Sequence, residues 1–386
     1  MDNEAQTIAV VFHDFPLGGS ERIAIRLINR WAELGRSVIV LCGERRGPLA
    51  PMISQKVRVV ECTPPIPRAF GSRRRLAQAL ALFVTQHRPD VLFTPGNFHW
   101  PLLVPIAALP TDICPAVVTQ ISTPLVRPGR GPLTQFVYTR LTRYRLRCLD
   151  AAIALSMSTV ADADRVLGRP ITEYIKLPVL DDASGGEQSA PASGNVIVAA
   201  GRLVKEKGFD VALRAFALIK DTTAELVILG EGYKQAELLS LAKTLGVSGR
   251  VKFVGYVPDI RCWLDRARVF LLSSFYEGYS AVLVEALAAG RPVVSTDCTP
   301  AVADLLQTTQ GCAITPIGDP VALAAALDRV LVSVPPDPQV LACTVADYRI
   351  GPIAKSYLDV FDRVHSRKRK LGSAALPKFS EDLTYI

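Results

Sequence analysis

Histidine is scarce in this chain: 386 residues contain four, and His13, His87, His99 and His365 have no spacing that would let them share a metal ion. The eight cysteines, Cys42, Cys62, Cys114, Cys148, Cys262, Cys298, Cys312 and Cys343, form no Cys-x-x-Cys pair. That argues against zinc, and their mostly apolar settings, such as VLCG and TDICP, predict reduced, buried thiols of a cytosolic protein. Zinc-finger spacing, a helix-turn-helix signature and a ribonucleoprotein motif are all lacking, which argues against nucleic acid as a partner. The opening residues, MDNEAQTIAVVFHDF, begin acidic and hold only a short apolar run, so no signal peptide is read and a cytoplasmic location is expected. The uncharged stretch 91–110 matches a membrane span in length, but Pro95, Gly96, Pro101, Pro105 and Pro110 argue against a continuous helix. Strand, loop and short helix are expected there instead. Phe98, Trp100 and Leu102 are assigned to the core, with contact to lipid or a lipid-linked acceptor as the alternative.

Acids are nearly missing from one region. Between Arg68 and Arg147 stand eleven arginines against Asp90 and Asp112 alone, within a chain of net charge +8. An acidic partner follows, and an anionic membrane surface is preferred over a merely solvated basic face. With 49% hydrophobic and 21% charged residues, the chain is globular, and 386 residues suit two domains.

What is present concentrates between residues 271 and 297, LLSSFYEGYSAVLVEALAAGRPVVSTD, read as strand, charged turn, helix and strand. Glu277 and Glu285 bracket the helix start. Gly278 and Ser280 let the chain turn, so the amides of about Tyr279, Ser280, Ala281 and Val282 are first-turn donors facing a positive dipole end. A diphosphate fits such a place. Glutamates at a helix start also serve the dipole alone, and that bland use stands beside the functional one. Upstream, AGRLVKEKG follows the apolar run NVIVAA and precedes an amphipathic helix, which puts Arg202 and Lys207 at a second strand-to-helix turn. Two cations and a helix start can converge on one phosphate at the C-terminal edge of a parallel sheet.

The motifs GRLVKEKGFDVALRAF, LVILGEGYKQAELLSLAKTLGVSGRVKFVGYVPD and FYEGYSAVLVEALAAGRPVVSTD, with PLGGSERIAI in weaker form, resemble the retaining glycosyltransferases of the GT-B fold, and within them glycosyltransferase family 4. The resemblance implies an α/β fold of two Rossmann-like doubly wound domains facing a deep cleft, with a C-terminal helix crossing back to the first domain. It implies transfer of a sugar from a UDP- or GDP-sugar, with retention and without a metal or other cofactor, to a saccharide acceptor. No Asp-x-Asp is read as a metal-held diphosphate clamp, so Arg202, Lys207 and helix dipoles meet the donor charge. By the same resemblance Glu277 contacts the donor sugar, the amides of Gly278, Tyr279, Ser280, Ala281 and Val282 bind phosphate, and Glu285 bonds the ribose. Main-chain atoms around Val254, Tyr256 and Val257 hold the base, and Gly18 and Gly19 face the donor phosphates. Arg202, Lys207 and Glu277 are the expected catalytic set. Members of the family often carry a histidine just after the strand near position 120, where this chain has Gln120, which cannot act as a base. The leaving diphosphate would then take the acceptor proton. His13, Asp14, His99 and Gln120 are expected on the acceptor side.

The basic first domain and the family's habits imply a polyprenyl-diphosphate-linked acceptor for exopolysaccharide or lipopolysaccharide synthesis, at the cytoplasmic face of the inner membrane. A nucleotide-sugar epimerase or phosphorylase on the same fold, or a non-catalytic membrane-associated assembly subunit, are the alternatives. Strand and helix patterns divide the chain into an N-terminal domain, 1–182, a Gly- and Ser-rich linker, 183–194, a donor domain, 195–351, a crossover helix, 352–370, and a tail, 371–386.

Overall fold

The computed structural model describes residues 4–126, 130–182 and 194–374; Arg127, most of the expected linker (183–193) and the tail from residue 375 lie outside the described residues. The chain divides into two compact units, one of Met1–Ile175 with Ala354–Ile386 and one of Lys176–Ile353. The division therefore falls at Ile175, ahead of the expected linker.

In the first unit, short apolar runs bounded by turns form the strands β1 (Thr7–Phe12), β2 (Ser37–Cys42), β3 (Arg58–Glu61), β4 (Val91–Thr94), β5 (Ala116–Ile121), β6 (Ala151–Ala154) and β7 (Thr172–Tyr174). They make one parallel sheet in the order β3-β2-β1-β4-β5-β6-β7. Helices α1 (Gly19–Glu33), α2 (Ser72–His87), α3 (Pro132–Arg145) and α4 (Met157–Leu167) connect them. The central strands β1, β4, β5 and β6 are buried almost throughout, as a sheet covered on both faces requires. Because β1 has β2 on one side and β4 on the other, the winding reverses between β1 and β4, which opens a crevice beyond their carboxyl ends.

The second unit repeats the plan with β8 (Val196–Ala200), β9 (Glu225–Leu229), β10 (Val251–Gly255), β11 (Val269–Leu272), β12 (Val293–Thr296) and β13 (Ala313–Thr315). Its order is β10-β9-β8-β11-β12-β13, also parallel, with the reversal between β8 and β11. The helices here are α5 (Phe209–Leu218), α6 (Gln235–Thr244), α7 (Arg261–Leu264), α8 (Ala281–Ala288), α9 (Pro300–Leu306), α10 (Pro320–Val332) and α11 (Pro338–Cys343).

Helix α12 (Ile350–Ala374) returns the chain to the first unit from Ala354 onward. An aromatic cluster secures it. Trp31 of α1 lies with ring centroids 5.0 Å from Phe361 and 5.4 Å from Phe93, and its indole N–H donates to the Ala354 carbonyl at 3.1 Å. Fully buried Tyr357 donates its hydroxyl to Gln120 Oε1 at 2.7 Å.

Trp100 and Leu102 are buried among the core of the first unit, as expected, while Phe98 is only partly covered. One expectation needs correction. Cys262 and Cys343 are exposed rather than buried; Cys42, Cys62 and Cys298 are buried, and burial raises the thiol pKa of each.

Replacing Tyr357 with Phe leaves the Gln120 carbonyl buried without that donor. We expect a loss of about 1–3 kcal/mol in urea unfolding; an unchanged midpoint would mean the hydrogen bond adds nothing to the docking of α12.

Candidate active site

The residues singled out in the second unit gather beyond the carboxyl ends of β8 and β11, the strands flanking the topological reversal. After β8 the chain runs through Arg202 into a short 3₁₀ turn, Lys205–Lys207, which closes at Gly208. Gly208 has φ +60°, and a Cβ there would stand 2.1 Å from the Ser273 carbonyl oxygen at the end of β11. Only glycine allows both the left-handed conformation and that approach. Ser273 ties the same turn down by donating its hydroxyl to the Lys207 carbonyl at 3.1 Å, and the Phe275 amide donates to the Glu206 carbonyl at 2.8 Å.

This packing brings Lys207 to Glu277. The ammonium Nζ lies 2.5 Å from Glu277 Oε1, with the side chains 19% and 9% exposed, and the buried Ser274 hydroxyl donates to the same oxygen at 2.8 Å. Ion pairs this dry repay their desolvation only when further hydrogen bonds satisfy the charge, and Ser274 supplies one. The loop carrying Glu277 is braced from β12 and beyond: Thr296 donates to the Ser274 carbonyl at 2.6 Å and Thr299 to the Gly278 carbonyl at 3.2 Å. Buried Cys298 accepts the Glu277 amide through its carbonyl, and burial, followed by the Glu277 charge, pushes its thiol up to about 12. It is therefore a neutral thiol at physiological pH.

Helix α8 begins just past this loop. Its N-cap residue, Ser280, is 3% exposed and makes no side-chain cap bond; its hydroxyl is buried with no hydrogen-bond partner among the described residues. The first amides of the helix, including Ala281 and Val282, lack intrahelical carbonyl partners by construction. A buried orphan hydroxyl beside free first-turn donors is a cradle for an anion. Glu285 sits half-buried in the second turn of α8, and the Tyr279 hydroxyl donates to that of Tyr348 at 3.0 Å. Arg202 is exposed, and its side chain has no hydrogen-bonding or ionic partner among the described residues. At the neighbouring edge, Val254 and Tyr256 are exposed and Val257 half-buried. The Tyr256 amide donates to Glu231 Oε1 at 3.3 Å, so that one amide is already engaged. Ser274, Thr296, Thr299 and Cys298 were not singled out from sequence; the pair of serines ahead of Glu277 was the available signal.

In the first unit, His13 follows β1 and His99 lies in the 3₁₀ segment Asn97–Leu103 after β4, at the other reversal. Both are buried, at 1% and 3% exposure. No ring nitrogen of His13 makes a hydrogen bond of good geometry, although the Pro67 and Ile66 carbonyls lie nearby. Burial, then the Arg68 charge, lowers His99 to about 3, and burial lowers His13. Asp14 pairs with Arg68 at 2.6 Å. Gln120 is 2% exposed and held by Tyr357, so its side chain belongs to the interior. Gly18 is the N-cap of α1 and Gly19 its first residue. One Asp-x-Asp does occur, Asp162-Ala163-Asp164 within α4, but Asp162 pairs with Arg165 and Asp164 accepts the Ile171 and Thr172 amides. Both carboxylates have structural duties.

Two doubly wound parallel units make an α/β architecture of the GT-B type. The family model for Glycosyl transferases group 1 matches residues 194–333 and that for Glycosyltransferase Family 4 matches 17–173. The lipopolysaccharide core biosynthesis glycosyltransferase LpsE of Rhizobium meliloti is 35% identical over 294 residues, 74% of this chain and 77% of LpsE. An N-acetylgalactosaminyltransferase of Campylobacter jejuni that acts on a diphospho-undecaprenol-linked saccharide is 40% identical over 101 residues, 26% of this chain and 27% of that protein. Among solved structures, Anabaena HepE in complex with UDP and glucose superposes with TM-score 0.69 at 20% identity, covering 96% of this chain and all of HepE. The chain belongs to glycosyltransferase family 4, the group 1 glycosyl transferases, and is a glycosyltransferase.

Two outcomes test this geometry. Gly208→Ala should lower unfolding free energy by at least about 1–3 kcal/mol, because a side chain there is strained and meets backbone; a neutral effect in urea titration would refute the close approach to Ser273. Between pH 6.5 and about 3 the unfolded chain binds a proton at His99 that the folded unit refuses, so stability is lost as pH falls through that window. His99→Gln should flatten that loss, read as unfolding midpoint against pH, and equal slopes would show that the imidazole is already protonated in the fold.

Proposed function

We propose that the protein transfers a sugar from a UDP- or GDP-sugar, with retention and without a metal, to a polyprenyl-diphosphate-linked saccharide in lipopolysaccharide or exopolysaccharide synthesis, working peripherally at the cytoplasmic face of the inner membrane. The observation that carries the donor part is the Lys207–Glu277 pair beside the unpartnered Ser280 hydroxyl at the start of α8. Lys207 and the free Arg202 would neutralise a departing diphosphate, the α8 amides would bind its oxygens, and Glu277, displaced from Lys207, would meet the sugar hydroxyls. Glu285 would bond the ribose and the chain at Val254 to Val257 would hold the base.

No strong base stands at position 120, because Gln120 is buried and bonded to Tyr357, and His99 with a pKa of about 3 is too weak to take a hydroxyl proton. This supports a front-face path in which the leaving diphosphate accepts the acceptor proton and the protein supplies positioning and charge. His13 and Asp14 remain the residues assigned to the acceptor side. The acceptor class is supported by the lipopolysaccharide and diphospho-undecaprenol relatives. The peripheral location is supported by the arginine-rich first unit and by the lack, among the described residues, of a helix long and apolar enough to cross a membrane.

The test is thermal stabilisation by UDP and GDP in the presence of EDTA, since a ligand bound only to the folded state raises its melting temperature by mass action. One of the two should shift the wild type. Arg202→Ala should abolish that shift while leaving the unliganded melting temperature in place, and should cut turnover about 10²–10³-fold. Lys207→Ala should abolish the shift too, but at a stability cost of about 3–5 kcal/mol from the unpaired buried Glu277. No shift with either nucleotide, or a shift that survives Arg202→Ala, would overturn the donor assignment.

A further inference from the structure

Helix α3 is built inside out. Of its fourteen residues, PLTQFVYTRLTRYR, only Thr142 is buried. The large apolar side chains point to solvent: Leu133 is 76% exposed, Phe136 61%, Val137 55%, Leu141 41% and Tyr144 54%. At ~100° per residue these five fall on one stripe, in the i, i+3/i+4, i+8, i+11 rhythm of a single helix face. Opposite them, Gln135, Thr139 and Thr142 turn toward the protein, and Gln135 donates to the Leu125 carbonyl at 3.3 Å. Helix α1 shows the ordinary arrangement, with Ile23, Leu27, Ile28 and Trp31 inward. Inward bonds hold α3 in its orientation: Arg143 Nε donates to the Val166 carbonyl at 2.8 Å.

Cations frame the stripe. Arg140 lies within it, 6.0 Å from the Phe136 ring centroid, Arg145 flanks it, and Arg147 just beyond the helix sits 4.6 Å from the Tyr144 ring. The helix has no acidic residue. Two copies of this face would set arginines against arginines with nothing to neutralise them, which disfavours a symmetric dimer. Rings and aliphatic chains beside guanidinium groups match the boundary between acyl chains and anionic headgroups, where the apolar atoms sink and the cations stay at the phosphate level.

We propose that α3 is the surface by which this protein docks on an anionic bilayer, with Leu133, Phe136, Val137, Leu141 and Tyr144 entering the interface and Arg140, Arg145 and Arg147 meeting lipid phosphates. This deepens the peripheral-membrane part of the proposed function and rests on it only for its purpose, to bring the enzyme to a lipid-linked acceptor. The surface is separate from Phe98, Trp100 and Leu102, for which lipid contact was only the alternative to core packing.

The test is co-sedimentation of the full-length protein with phosphatidylcholine vesicles with and without phosphatidylglycerol. The wild type should partition onto the anionic vesicles and come off as salt rises. Phe136→Ser with Leu141→Ser should lower that partition at least about tenfold, and Arg140→Ala about fivefold. These side chains are exposed, so melting temperatures should hold. A wild type that stays in solution overturns the proposal, as does a double variant that binds like the wild type. A dimer that the double variant dissolves, without vesicle binding, assigns the face to a second copy and also overturns it. The nucleotide-induced melting shift, read in the same samples, reports the donor site alone: lost vesicle binding with an intact shift overturns docking only, and the reverse result overturns the donor assignment only.

Discussion

The donor-side geometry depends on one backbone constraint, the left-handed turn at Gly208 packed against the Ser273 carbonyl. It fixes how far the turn after β8 can approach the end of β11, and so fixes where the Lys207 ammonium stands. With Lys207 placed, the Glu277 carboxylate is satisfied at 9% side-chain exposure, because the ammonium and the Ser274 hydroxyl share one of its oxygens. The pair is a stored arrangement of charge. A carboxylate engaged by Lys207 is prevented from collapsing onto the α8 amides, which stay available to an anion together with the orphan Ser280 hydroxyl. Under the proposed function an incoming diphosphate would take over both the ammonium and the amides, and that exchange would free Glu277 for hydroxyl groups. Preorganised charge of this kind acts without reorganisation at the moment of reaction.

The first unit is organised by a different force. Helix α12 is held by aromatic burial around Trp31, Phe93, Tyr357 and Phe361, and the polar atoms it carries into that cluster are satisfied, the Ala354 carbonyl by Trp31 and the Tyr357 hydroxyl by Gln120. The same dryness sets the chemistry nearby. His99 feels Arg68, Arg73 and His13, all unfavourable to a second proton, on top of its burial. The reversal between β1 and β4 thus offers neutral imidazoles and the Asp14–Arg68 pair rather than a strong base. A reaction that needs no enzymatic base fits that environment better than one that does.

Much of this was legible in the sequence. Runs such as NVIVAA and VFLLSS, each followed by a glycine- or serine-bearing turn and a helix, identify the strands on either side of the reversal, and two charged residues placed after them, Lys207 and Glu277, form an ion pair. What escaped notice had physical reasons. β7 and β13 are three residues long and sit at sheet edges, where pairing with one neighbour defines a strand that periodicity cannot. Gln120 and His99 look like available polar groups in sequence, but tertiary packing closes over them. Asp162 and Asp164 show the opposite: a spacing that invites a metal reading, absorbed by Arg165 and two backbone amides.

Helix α3 marks the sharpest limit of periodicity. Its apolar stripe is visible in PLTQFVYTRLTRYR, but a stripe says only that one face is apolar, not which way that face turns. Orientation here is decided by Gln135 bonding to Leu125 on the polar side and by Arg143, at the edge of the stripe, bonding to the end of α4. Those bonds hold the apolar face outward against the usual hydrophobic preference. An aqueous surface gives no return for exposing five large apolar side chains beside arginines that have no acidic partner among the described residues. A second phase with acyl chains below and phosphates above does, so the cost in water becomes binding free energy at the membrane.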